Sequence, residues 1–194
     1  MQTINFRNAS KEQIDSYFRW FASTTLERIN NFIAMFNERG GDNKLDFTPK
    51  SLVELASWLK INVQYRSKTE AEIGRFLPST PDYLQHALKE PVLTKEWSNH
   101  SIDVGTYIGA VFKKAFPPLE WQISQEGQNN VNFGQPVLVC ASGFEFPVLN
   151  VTYTFMAGLY NNTAPAKRIM SVYEYWENAL QARRQTIAVN EPPV

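Results

Sequence analysis

The stretch that most restricts what this chain can fold into is Leu93 to Phe116, LTKEWSNHSIDVGTYIGAVFKKAF. At about 100° per residue, Leu93, Trp97, Val104, Ile108, Val111 and Ala115 fall on one stripe. Ile102, Gly105, Gly109, Phe112 and Phe116 fall on a second, well round the cylinder. A helix apolar on two sides has to be enclosed by the rest of the chain. Each glycine costs roughly 1 kcal/mol against alanine inside a helix, so Gly105 and Gly109 predict that another backbone approaches closely there.

The flanking sequence supplies the elements that would enclose it. Ser10-Lys-Glu-Gln13 has the form of a capping box, and Ile14, Phe18, Phe21, Ile29, Phe32 and Phe36 then keep helical spacing up to about Arg39, where Gly40-Gly41 ends the run. Thr48-Pro49 reads as the N-cap and first turn of a second helix, broken at Tyr65 to Lys68. A short amphipathic segment from Thr69 to Leu77 follows, and Thr80-Pro81 opens another brief helix. After Pro117-Pro118 the period changes to two: Leu119, Trp121 and Ile123 alternate with polar residues, and PVLVCAS reads as a returning strand. The segment 147–160 is ambiguous, and the helical spacing of Val148, Val151, Phe155 and Leu159 favours helix. Ala164-Pro165 starts the last helix. The expected architecture is α+β and mainly helical, with helices packed around a central one at about 93–116. A small antiparallel hairpin is expected at about 119–124 and 136–141.

At 194 residues, the chain is predicted to form a single domain over 1–189, followed by a polar tail at 190–194. Nineteen basic and nineteen acidic residues cancel, which speaks against nucleic acid or an anionic membrane as a partner. The opening MQTINFRNASKEQ is neither basic nor apolar in the manner of a signal peptide, and the single cysteine, Cys140, fits a reducing compartment. A cytoplasmic protein is expected. No nucleotide, zinc or hydrolase signature is present and no cofactor is called for. Cys140, in an apolar run, is read as a packed small hydrophobe.

One polar constellation stands out. Glu96, His100, Asp103 and Tyr107 are spaced i, i+4, i+7 and i+11 on the central helix, which aligns them beside its apolar face. They would form either a polar or metal-binding pocket or an ordinary solvated flank, and the second is the commoner use of such a stripe. Tyr17 and Trp20 lie at the margin of the first helix's apolar stripe and are candidate surface anchors, as is the long polar loop from Glu126 to Gly134.

The run Asp103-Val-Gly105-Thr-Tyr107-Ile-Gly109, followed by Pro118-Leu-Glu-Trp121 and Gln135-Pro136-Val-Leu138, resembles a pattern in small bacterial proteins. Some of these are similar to immunity proteins encoded beside toxins. The resemblance implies a bacterial cytoplasmic protein that binds another protein, and it carries over no catalytic residue. The expected function is therefore that of a non-enzymatic protein-binding module, its partner unidentified. The alternative is a small enzyme or metal-binding protein built on Glu96, His100 and Asp103.

Overall fold

The computed structural model describes residues 4–190, with side chains through Ala182. Six α-helices are α1 (Lys11–Glu38), α2 (Ser51–Asn62), α3 (Glu70–Phe76), α4 (Lys95–Ala115), α5 (Val148–Ala157) and α6 (Pro165–Asn190). Five short strands are β1 (Tyr65–Arg66), β2 (Val92–Leu93), β3 (Glu120–Ile123), β4 (Pro136–Val139) and β5 (Glu145–Phe146). The fold is α+β and mainly helical. Helix α4 is its axis: α1 and α5 pack on it, and Trp97, Val104, Tyr107, Val111 and Phe112 are all buried.

Local signals explain most boundaries. Ser10 and Gln13 close the capping box of α1, with Gln13 N donating to Ser10 Oγ at 3.3 Å and Ser10 N to Gln13 Oε1 at 2.8 Å. Gly40 ends that helix with φ +85°, a conformation favourable to glycine. Thr48-Pro49 forms a turn ahead of α2, whose first residue is Ser51, so the predicted helix start lies slightly early. The segment 147–160 is largely helical, as its spacing predicts.

The structure adds strands and shifts some boundaries. The break at Tyr65 to Lys68 contains β1, which pairs antiparallel with β2 through Tyr65↔Leu93 and Arg66↔Val92. Leu93 therefore belongs to a strand, and α4 begins only after Thr94, whose Oγ1 accepts from Trp97 N at 3.3 Å. The predicted antiparallel hairpin is present as the β3/β4 pair, and a third strand, placed by Leu138↔Phe146, extends it to a sheet ordered β3-β4-β5. Two-residue strands are too short to show a period. The brief helix expected after Thr80-Pro81 is present, with 3₁₀ geometry, over Asp82–Lys89. Of the predicted tail 190–194, Asn190 closes α6 and the remainder lies outside the described residues.

The two glycines of α4 have different neighbours. At Gly105 an added Cβ would stand 2.8 Å from Leu149 Cδ2 and 3.3 Å from Leu149 Cα, so the backbone of α5 does approach closely. At Gly109 the neighbour is an indole: Trp121 Cζ2 would be 2.5 Å away. That ring also meets Phe21 edge-on, at 4.9 Å between centroids. The predicted backbone contact thus holds at Gly105, while Gly109 makes room for a side chain from β3.

Tyr107 ties α4 to α2 and to the loop before it. Its hydroxyl lies 2.6 Å from Ser51 Oγ and accepts from Phe47 N at 3.2 Å. Phe47 has φ +61°, which is unfavourable for a bulky residue, so this hydrogen bond helps hold a strained backbone. Tyr107→Phe is expected to cost about 1 to 2 kcal/mol by leaving the Phe47 N–H without its acceptor. Urea denaturation measures the loss, and an unchanged midpoint would remove this role from the hydroxyl.

Candidate functional site

The first turns of α4 and α5, Tyr17 of α1 and the segment 66–72 surround a cleft of about 780 Å³. This lies within the roughly 300–1,000 Å³ range of small-molecule sites. Phe6, Tyr17, Ile102, Leu149 and Tyr153 give it apolar and aromatic walls; Lys95, Asn99 and Asn150 add polar groups. The close approach at Gly105 brings Leu149 against α4 and so sets the spacing of two walls. Phe6 meets Tyr17 edge-on at 5.1 Å, and burial pushes the Tyr17 hydroxyl above its ordinary pKa although the nearby Arg28 charge acts the other way.

At one rim Arg66 grips Glu72 with two nitrogens, at 2.8 and 2.6 Å. Glu72 also completes the capping box of α3 by accepting from Thr69 N at 2.8 Å. The Arg66 hydrogen bonds, followed by that from Thr69 N, pull the carboxyl pKa down to about 2. This pair anchors an arm, 69–90, in which no residue is buried. Lys68 Nζ, donating to Ala87 O at 3.1 Å, ties the arm's far end back to its root. Along the arm Phe76, Leu77, Tyr83 and Leu84 are 52, 43, 75 and 42% exposed.

The polar stripe on α4 is divided by what covers it. Tyr107 is fully buried in the core, because α2 and the loop carrying Phe47 enclose that part of the helix. Asp103 Oδ1 pairs with Arg28 Nη1 of α1 at 2.5 Å, and the two side chains are only 18 and 17% exposed. His100 stands between carboxylates, its Nδ1 3.2 Å from Asp103 Oδ2 and its Nε2 3.5 Å from Glu96 Oε1. Glu96 reaches Arg39 at 3.7 Å. Glu96, His100 and Asp103 thus belong to a ladder joining α1 to α4, in which each ring nitrogen of His100 faces a carboxylate. Among the described residues no three His, Cys, Asp or Glu side chains are grouped so as to hold a metal ion.

The predicted anchors are more enclosed than expected. Tyr17 lines the cleft, and Trp20 is half-buried beneath Arg28, whose guanidinium lies 4.5 Å from the ring centroid. The loop 126–134 is laid against the N-terminal segment: Gln128 Nε2 donates to Arg7 O at 2.7 Å, and Gly134 sits under Ile14 and Phe6. Cys140 is half-buried after β4, with Sγ 3.0 Å from Ser142 Oγ. The cleft itself was not foreseen, because its walls come from separated segments. The apolar residues of the arm were visible, but helical spacing alone does not distinguish a packed face from an uncovered one.

The chain matches no protein-family model, no curated protein and no solved structure. Among the described residues, no helix is long and apolar enough to cross a membrane.

Proposed function

We propose that this is a non-enzymatic bacterial binding module that captures a protein partner in the cytoplasm through the arm 69–90 and the cleft at its root. The observation that carries the reading is the arm itself: it buries none of its residues yet displays Phe76, Leu77, Tyr83 and Leu84. Large exposed apolar side chains on a segment that buries none of its residues are suited to anchor a protein interface. The polar root of Arg66, Glu72 and Lys68 holds the arm in place, which reduces the ordering cost of association. The ladder of Glu96, His100 and Asp103 engages its own members, and this favours binding over catalysis at the stripe. The resemblance to immunity proteins agrees in kind with this proposal.

The test is affinity capture from the source cell with the full chain and with a Phe76→Ser/Tyr83→Ser/Leu84→Ser variant. These exposed substitutions should change stability by about 0.5 kcal/mol or less each. The wild type should retain a specific protein, and the variant should lose more than about tenfold of that capture at an unchanged melting temperature. Equal capture by the folded variant would refute the assignment of the arm. A His100→Ala variant should capture as the wild type does; loss there would move the site to the ladder.

A further inference from the structure

We infer that the cleft receives an acidic segment of the partner, a carboxylate side chain flanked by apolar residues, with Lys95 as its counter-charge. This rests on the protein-binding reading and adds the chemistry of what is bound. Three charged side chains line the cleft: Arg66, Glu72 and Lys95. Arg66 and Glu72 neutralise each other through their two-pronged contact. Lys95, exposed in the first turn of α4, forms no ion pair among the described residues, so the charged side chains of the lining sum to one positive charge.

The remaining walls select what accompanies that charge. Tyr17, Leu149 and Tyr153 offer surface for apolar side chains, and Asn99 supplies an amide that both donates and accepts. No side-chain hydrogen bond of Asn99 to another described residue is formed, which leaves it able to pair with the main chain of an extended segment. A single unpaired lysine beside apolar walls does not track a phosphate backbone, whose binding needs many cations. It matches one carboxylate in an apolar sequence, by complementarity of charge and surface.

The experiment titrates an acetylated, amidated Gly-Leu-Glu-Phe-Gly peptide, its Gln twin and sodium propionate into the isotope-labelled full chain at low salt. Amide chemical shifts are the readout. The Glu peptide should move the side-chain amide signals of Asn99 and Asn150 and bind about fivefold more tightly than the Gln twin. Lys95→Met should erase that preference while leaving the rest of the spectrum in place. Equal affinity of the twins, shifts away from the cleft, the absence of binding, or propionate binding as tightly as the peptide would each overturn the inference. Arm-dependent capture that persists beside a negative titration would remove the cleft's occupant alone and leave the binding reading standing.

Discussion

Gly109→Leu is expected to cost about 3 kcal/mol or more, the largest loss of any single substitution considered for this protein. The reason lies in the ring opposite. Trp121 packs against Phe21, and a Cβ at position 109 would stand 2.5 Å from Cζ2 of its rigid indole, which cannot yield as the end of a flexible side chain would. Alanine should also be harmful at 109, since the clash exceeds the gain of roughly 1 kcal/mol in helix propensity. Gly105→Ala should be milder because its nearest contact, Leu149 Cδ2, ends a flexible side chain. Gly105→Leu would push against the α5 backbone and should again be severe. Chemical denaturation of the four variants gives the order; equal, small losses throughout would show that neither position is tightly packed.

Arg28→Met is expected to lose about 2 kcal/mol. Removing one member of a fully buried pair costs roughly 3 to 5 kcal/mol because a charge is stranded, and the residual exposure of both partners lowers that figure here. Part of the loss is the contact with the Trp20 ring, worth about 0.5 to 1 kcal/mol. The double variant Arg28→Met/Asp103→Asn should recover some stability, since the stranded charge is gone while the Trp20 contact remains lost. A double-mutant cycle isolates the pair. Additive losses would show that Arg28 and Asp103 do not depend on each other, and the ladder would no longer explain how α1 is held to α4.

Both results concern α4, and α4 was legible because its signal is local. Twenty-one consecutive residues carry apolar positions on two sides, a pattern that burial satisfies and solvent does not. Ser10 and Gln13 were equally readable, since the capping box is a contact between residues three apart. Tyr107 was misplaced for the complementary reason. Its spacing from Glu96 is correct for one stripe, but spacing does not say that Ser51 and Phe47, more than fifty positions earlier, cover the far end. The cleft joins Phe6, Tyr17, Glu72, Lys95 and Tyr153, none of which shares an element with another. Such a site has no period and no motif; tertiary packing alone creates it.

The docking of α6 has a consequence for the order in which the molecule can be completed. Its residues Ile169, Tyr173 and Leu180 belong to the core, Tyr173 lies 4.9 Å from Phe112, and α6 packs along α2. Residue 62 ends α2, whereas α6 starts at residue 165, so this seam joins distant parts of the chain. During synthesis the helices 11–115 leave the ribosome before the element that shields Leu52 and Phe112 has been made. Long-range closure of this kind comes late in folding, and until it occurs the nascent chain exposes an apolar face of the sort chaperones engage. A ribosome stalled before residue 165 should therefore carry a chain far more susceptible to protease than one released after α6.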